Sequence, residues 1–281
     1  MAAGPLAFYA IFVLLPLAQS VQISTWNWNG LGEPEFIGLD NFIRALEDPL
    51  FVGAFRNTAL WLIVAVTVPT VAGLLLAVLL DRPLRGSRLY KSAFYMPITL
   101  SLVVVGQVWI WIYQPNWGLL NSVLQAVGLE GLTRAWLGDP GTALIAVIVA
   151  WCWQQTALSL ILYLAALTTI PKDLLEAAAI DGATWWQRFR HVMVPLLRPA
   201  TVVVITLAVI NTLKGFDIVF VLTQGGPFHT SDNLAMFMYS ETFFKYRVGY
   251  GAAIAVALFT LAIVVILIYF RQSRASERLY G

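Results

Sequence analysis

Long runs without a single charged residue constrain this chain more than any other feature of its sequence. The longest of these runs occupy residues 1–32, 57–80, 92–129, 140–171 and 248–270. A helix needs about 20 apolar residues to cross the hydrocarbon core of a bilayer. Each run is therefore long enough to supply one membrane-spanning helix.

The composition agrees with a membrane protein and excludes several other classes. Of the 281 residues, 59% are hydrophobic and 11% are charged, whereas a soluble domain is roughly 45–50% apolar and about 25% charged. So few charges cannot cover a water-facing surface, and so apolar a chain does not stay disordered. A net charge of +2 gives no basic surface for nucleic acid. The single cysteine, Cys152, and two distant histidines predict no disulfide, metal site or cofactor in this chain.

A sixth apolar stretch, 199–221, differs from the others because it carries Lys214 and Asp217. We therefore predict an all-α, polytopic membrane protein with six transmembrane helices in a single domain, 1–281. The predicted spans cover about 5–23, 57–80, 93–114, 143–167, 199–221 and 249–270. The first span has a cleaved signal peptide as its alternative, but signal peptides begin with basic residues and none precedes Arg44 here.

The distribution of basic residues predicts how the spans are oriented. Of the 17 lysines and arginines, 11 lie in the loops 81–92 and 168–198 and in the tail after 270, against 5 in the opposite loops. Positive charge is retained on the cytoplasmic side. We expect those two loops and both termini to be cytoplasmic.

Sequence motifs for catalysis are missing. The chain contains no GxxxxGK[ST] phosphate-binding loop, no HExxH zinc motif and no GxSxG nucleophile motif. Transport, channel or structural roles are therefore favoured over an enzyme.

The predicted cytoplasmic loop 170–198 is the most informative segment. Pro171 suits a helix start, and Gly182 suits a helix end. Thr184 suits the cap of a second helix over 185–192, which Pro195 would close. The first helix carries an apolar stripe, so the loop either lies on the membrane surface or docks on a cytoplasmic partner.

Residues of this loop resemble a known motif. Glu176-Ala177-Ala178, then Asp181-Gly182-Ala183, then Pro195-Leu196 resemble the EAA motif of permease subunits of binding-protein-dependent ABC importers, with Val194 where that family usually has leucine. Further segments resemble the carbohydrate-uptake members of that family, and they are Gly38-Leu39-Asp40-Asn41-Phe42, Asn57-Thr58, Leu222-Thr223-Gln224-Gly225-Gly226-Pro227 and Gly249-Tyr250-Gly251-Ala252-Ala253.

The resemblance implies a fold, partners and a set of coupling residues. It implies the type I ABC importer permease fold in a bacterial or archaeal inner membrane, and a sugar, oligosaccharide or polyol phosphate as substrate. It also implies a second six-span permease subunit, two cytoplasmic ATP-binding subunits that hold ATP and Mg, and an extracytoplasmic binding protein. The residues implied to seat the loop on the ATPase are Leu174, Leu175, Glu176, Ala177, Ala178, Ala179, Asp181, Gly182 and Pro195.

Polar and aromatic residues within the spans are candidates for the substrate pathway. Lys214 and Asp217 are three residues apart, so a continuous helix would let them either line the pathway or form a structural ion pair. Trp151 and Trp153 are candidates to stack on sugar rings, while Gln154, Gln155 and Asn211 either bind hydroxyl groups or join helices. Two alternatives stay open: an ion-coupled secondary transporter or channel that uses Lys214 and Asp217, and a membrane-embedded assembly subunit.

Overall fold

The computed structural model describes residues 3–82 and 86–277, most of which are helical. Its helices are α1 Gly4–Ile23, α2 Asp40–Glu47, α3 Pro49–Leu80, α4 Ser87–Thr99, α5 Leu102–Ile112, α6 Leu119–Ala126, α7 Ala143–Leu167, α8 Lys172–Ile180, α9 Trp185–Leu196, α10 Arg198–Leu213, α11 Phe216–Leu222, α12 Leu234–Tyr239 and α13 Val248–Glu277. Two short strands, β1 Trp26–Asn27 and β2 Glu35–Phe36, pair antiparallel before α2. Within the described residues this hairpin is the only sheet, and the all-α prediction is confirmed.

Four helices are long and apolar enough to cross a membrane on their own, and they are α1, α3, α7 and the first 20 residues of α13. The number of candidate spans rises to six if each of two bent helix pairs is counted as one. The predicted span 143–167 coincides with α7, whereas α3 begins eight residues before the predicted span 57–80. Arg85 and Arg278, which contribute to the predicted cytoplasmic charge, lie outside the described residues.

The predicted span 93–114 is not one continuous helix. It is divided between α4 and α5, whose axes meet at 107°. Pro97, which has no N–H to donate, lies in the last turn of α4, and Leu100 then adopts an extended conformation with ψ of 143°. Ser101 caps the new helix, because its hydroxyl accepts a hydrogen bond from the backbone N–H of Val104.

The region around the predicted span 199–221 is also interrupted, so the prediction of one continuous helix was wrong here as well. Helix α10 ends at Leu213 and α11 begins at Phe216, with Lys214 and Gly215 between them. Helix α9 meets α10 at 66°. The expected end of the second loop helix before Pro195 was also wrong, since α9 continues to Leu196. A π-helical turn, Phe189–Met193, precedes this proline, and the interrupted hydrogen-bond ladder accommodates a residue that lacks an N–H.

The core is built mainly where α3 packs along α7. Gly73 permits a close approach of the two helices, because a Cβ atom there would overlap Ser159 of α7. Nearer the start of both helices, Trp61 and Trp151 are fully buried and meet edge to face, with ring centroids 5.8 Å apart. Close backbone approach through small residues is the usual way in which helices associate in lipid.

Candidate functional site

Helix α8 carries most of the residues that the sequence assigned to coupling, and it is largely exposed. The helix begins at Lys172, one residue later than expected, because Pro171 is its N-cap. Ile180 at the far end is 86% exposed and Leu174 is 46% exposed, while Glu176 and Ala177 are also open to their surroundings. Leu175 turns inward and packs against the buried cluster that contains Leu164 and Met193. The helix is thus anchored on one side and free on the other.

Gly182 ends α8 in the manner predicted. Its backbone is left-handed, with φ of 81°. The N–H of Gly182 donates to the carbonyl of Ala179, and the N–H of Ala183 donates to the carbonyl of Ala178, at 3.1 and 2.9 Å. This pair of hydrogen bonds is the Schellman motif, in which glycine avoids the steric penalty of the left-handed region. Asp181 is the C-cap residue and is exposed.

Thr184 caps α9, also as predicted, and forms a full capping box. Its backbone N–H donates to Gln187 Oε1 at 2.7 Å, and its hydroxyl accepts from the backbone N–H of Gln187 at 3.3 Å. The ring of Trp185 stacks on that of Phe189, and the guanidinium of Arg82 lies 5.2 Å from a Trp185 ring centroid. Since Arg82 follows the end of α3, this cation–π contact joins the loop to a spanning helix.

An open groove lies between α8 and α9. Its volume is about 410 Å³. Its wall includes three residues of the predicted coupling set and the basic side chains of α9, and the lining residues are Ala178, Asp181, Gly182, Ala183, Gln187, Arg188, His191 and Val192. The predicted Pro195 lies further along α9, outside this groove.

Two residues predicted for the substrate pathway have structural roles in this conformation. Trp151 is fully buried against Trp61 and has no open face on which a sugar ring could stack. Gln154 is 4% exposed, and its amide donates to the carbonyls of Pro97 at 3.2 Å and Leu100 at 2.7 Å. These carbonyls lie at the break between α4 and α5, so Gln154 satisfies backbone groups that the break releases.

The other predicted pathway residues lie in two separate places: four of them near the end of α10, and Trp153 on another side of α7. Asn211 Nδ2 donates to Gln155 Oε1 at 3.1 Å, which joins α10 to α7. Lys214 and Asp217 are exposed beside the break that follows Asn211, and the described residues contain no ion pair between them. Helix α10 ends before Lys214, and Asp217 belongs to α11, so the spacing expected from a continuous helix does not apply. Trp153 lies about 200° around α7 from Gln155 and packs edge to face on Trp109.

Sequence analysis missed the polar residues that organise the connection 223–233. Asn57 donates to the carbonyls of Thr230 and Asp232 at 2.9 and 2.8 Å, and Asn233 donates to the carbonyl of Gly215 at the break after α10. Asn233 also caps α12. The position of Asn233 directly before an apolar run is a helix-start signal that was available in the sequence.

A buried carboxylate lies in the same connection. Asp232 is 2% exposed, and its Oδ2 lies 2.6 Å from His229 Nδ1. Burial raises the pKa of Asp232 to about 6, and the hydrogen bond from His229 opposes part of that rise. Phe228, beside this pair, is 87% exposed.

The fold and the loop define a class: a polytopic membrane protein that presents a capped helical hairpin between two spanning regions. The model of the family "Binding-protein-dependent transport system inner membrane component" matches residues 6–277. A probable ABC transporter permease protein of Pyrococcus horikoshii is 37% identical over 273 residues, covering 97% of this chain and 94% of the relative. The lactose transport system permease protein LacF of Rhizobium radiobacter is 32% identical over 279 residues, covering 98% of this chain and 93% of LacF.

The same fold occurs in a crystallised bacterial ABC transporter involved in alginate import. One of its chains superimposes with a TM-score of 0.85 at 23% identity, covering 98% of this chain and 94% of that chain. The chain therefore belongs to the family of binding-protein-dependent transport system inner membrane components. It is a multi-pass permease of an ABC importer in the inner membrane and a transport subunit rather than an enzyme.

Proposed function

We propose that this chain forms half of the translocation pathway of an ATP-driven importer and couples that pathway to a cytoplasmic ATPase through α8. The observation that carries the proposal is the exposed α8, held by Gly182 and the α9 capping box between the spanning regions α7 and α10. Small side chains at Ala177 and Ala178 let another protein surface approach the α8 backbone closely. Glu176 offers a carboxylate for a charge-assisted hydrogen bond.

The contacts of the loop provide a route for its displacement. Leu175 packs on the inner end of the spanning helices, and Trp185 lies against Arg82 after α3. A movement of α8 imposed by ATP-driven closure of the ATPase thus reaches α3 and α7 through packed side chains. Packed helices change between discrete arrangements rather than deform continuously, so the result is alternation between an inward-facing and an outward-facing state.

The proposed substrate is a sugar, an oligosaccharide or a related polyol phosphate. The names of relatives support this class, since one of them is a lactose transport permease. The paired amides of Gln155 and Asn211, with exposed Lys214 and Asp217 at the break that follows α10, are polar groups suited to hydroxyl or phosphate oxygens. An ion-coupled transporter that uses Lys214 and Asp217 receives no support from the family.

We propose the following assembly and orientation. The chain pairs with a second six-span permease, two ATP-binding subunits hold ATP and Mg at the cytoplasmic side, and a soluble binding protein delivers the substrate from the opposite side. Both termini and the loop 170–198 are cytoplasmic.

The decisive experiment isolates the tagged full chain from native membranes in mild detergent and identifies its partners by mass spectrometry. We expect a second permease, an ATP-binding subunit and a binding protein, which is then screened by thermal shift against sugars and polyol phosphates. Recovery of a stable complex without any ATP-binding subunit would contradict the importer. A binding protein that responds only to amino acids or ions would contradict the substrate class.

A further inference from the structure

Helix α2 divides its surface into three sectors. At about 100° per residue, Asn41 and Ala45 share one side, which is buried against the protein. The charged residues Asp40, Arg44 and Glu47 share a second side, which is exposed. A third side, between them, presents apolar residues only.

The apolar sector is open along its whole length. Leu39, Ile43 and Leu46 are between 53% and 73% exposed. In the hairpin before α2, Leu31 and Phe36 are also exposed, at 77% and 73%. No other part of the described chain covers these side chains, although an isolated water-facing helix would place polar residues here.

Contacts on the other sides of α2 fix its height relative to the spanning helices. The guanidinium of Arg44 lies 4.8 Å from the ring centroid of Tyr250, and Asp48, directly after α2, accepts a hydrogen bond from the Tyr250 hydroxyl at 3.0 Å. Tyr250 belongs to the first turn of α13, so α2 lies level with the end of that spanning helix. Helix α3 begins immediately afterwards, at Pro49.

The surroundings of the apolar sector indicate what covers it. On the other side of Asp48, Val52 and Phe55 in the first turns of α3 are also exposed apolar side chains, and the uncharged run of α3 starts after Arg56. The apolar sector is thus followed within a few residues by a helix long and apolar enough to cross a membrane, whose exposed side chains here are apolar too. Its charged neighbours lie about 100° away around the helix, as in helices that lie in the membrane interface.

We infer that α2 is an interfacial anchor whose apolar sector, Leu39, Ile43 and Leu46, inserts at the boundary between headgroups and acyl chains. Lipid is its partner, and the charged sector faces water. In the orientation proposed above this is the outer leaflet, and the inference rests on that part of the proposed function. The anchor fixes the start of α3 and the hairpin that contacts α13.

The test measures the depth of spin labels at two adjacent positions. Cys152 is the only cysteine and is buried, so Cys152→Ala provides the background. Leu46→Cys places a nitroxide in the apolar sector and Glu47→Cys places one in the charged sector. Both sites are exposed, so labelling leaves the packing of α2 intact. The full chain, with the subunits that co-purify with it, is reconstituted in phosphatidylcholine and phosphatidylglycerol vesicles.

Collisions with oxygen, which is concentrated in the bilayer, are compared with collisions with a water-soluble nickel chelate. We expect a several-fold higher ratio of oxygen to nickel collisions at residue 46 than at residue 47. Equal ratios at the two positions would overturn the inference. A label at residue 46 that is nickel-accessible and becomes immobile only when binding protein is added would also overturn it, in favour of a protein contact. The depth measurement needs no transport, so its failure is distinguishable from failure of the proposed function.

Discussion

Gly182 holds the turn between α8 and α9 through its backbone conformation, with φ of 81°. A Cβ atom at this position would meet no atom within 4 Å. Crowding inside the chain is therefore not the reason for glycine, and the requirement comes from the left-handed backbone alone. Asparagine tolerates this region better than other residues, whereas a β-branched side chain does not.

We expect Gly182→Val to abolish substrate uptake in reconstituted vesicles, while the protein still inserts into the membrane. The backbone strain is on the order of 1–3 kcal/mol, enough to unwind the last turn of α8 and displace Glu176. Gly182→Asn is the matched control, because it adds a side chain at the same place and keeps the left-handed turn. It should retain most of the uptake and of the stimulated ATPase activity. Uptake by the valine variant at the level of the asparagine variant would contradict this role of the turn.

Asp232 makes the connection 223–233 sensitive to pH. Burial raises its pKa from 3.8 to about 6, although the hydrogen bond and charge of His229 and the charge of Lys245 act in the opposite direction. The folded protein then binds the proton more tightly than the unfolded chain does. The stabilisation is complete below a pH of about 4 and is lost as the pH rises through about 6.

Between pH 4 and pH 7, wild type should lose stability relative to Asp232→Asn by on the order of 2 kcal/mol, because asparagine stays neutral throughout. Thermal unfolding of both proteins in detergent across this pH range measures the difference. Asp40→Asn, at an exposed carboxylate of α2, controls for the loss of one charge. A wild-type to Asp232→Asn difference that stays constant with pH would contradict the prediction.

At the scale of helices, two of the breaks are stabilised by side chains from elsewhere in the chain. Each of these two breaks releases backbone carbonyls to which such a side chain donates hydrogen bonds. The side-chain amide of Gln154 in α7 donates hydrogen bonds to the carbonyls of Pro97 and Leu100, and that of Asn233 donates to the carbonyl of Gly215. Such interactions let an irregular backbone persist among apolar helices.

We expect Gln154→Leu to lower the free energy of unfolding by on the order of 2 kcal/mol, since two carbonyls lose their partner in a buried site. Gln155→Leu is the control: it changes the adjacent, equally buried residue and removes only the hydrogen bond from half-buried Asn211. Size-exclusion chromatography after heating in detergent measures the midpoint temperature of thermal unfolding for both variants. A midpoint for Gln154→Leu equal to or above that of Gln155→Leu would contradict the prediction.

The same elements show what the sequence could predict. The end of α8 at Gly182 and the cap at Thr184 depend on neighbouring residues, and both predictions were confirmed. At the break at Leu100, the released carbonyls are bound by Gln154, more than fifty residues away, and the uncharged run 92–129 continues across the break without a change in charge. Apolar composition therefore predicted one continuous spanning helix where the structure has two helices that meet at a sharp bend. Likewise, the predicted pathway residues Trp151 and Gln154 became structural only through partners on other helices.

At the scale of the whole molecule, three clusters of buried hydrophobic side chains follow one another along the length of α3. One includes Tyr250 and Phe51 near α2, one surrounds Trp61 and Trp151, and one includes Leu164 and Met193 beside α8. Helix α3 contributes to all three, so it connects the level of α2 with that of α8. Because α2 precedes α3 and α8 follows α7, the fold places them at opposite ends of the packed helices. Orientation in the membrane, proposed from the distribution of lysine and arginine, determines which end faces the ATPase.

Two apolar side chains with nearly equal exposure allow a direct test of that orientation. Ile180 at the end of α8 is 86% exposed and Phe228 in the connection 223–233 is 87% exposed. In the Cys152→Ala background, a membrane-impermeant maleimide added to intact spheroplasts should label Phe228→Cys and leave Ile180→Cys unlabelled. After permeabilisation of spheroplasts that express the chain without its ATP-binding subunit, both should react at similar rates, because their exposures in the chain match and no ATPase covers α8. Labelling of Ile180→Cys in intact spheroplasts would contradict the proposed orientation, because it would place α8 on the outer side, where a cytoplasmic ATPase does not reach it.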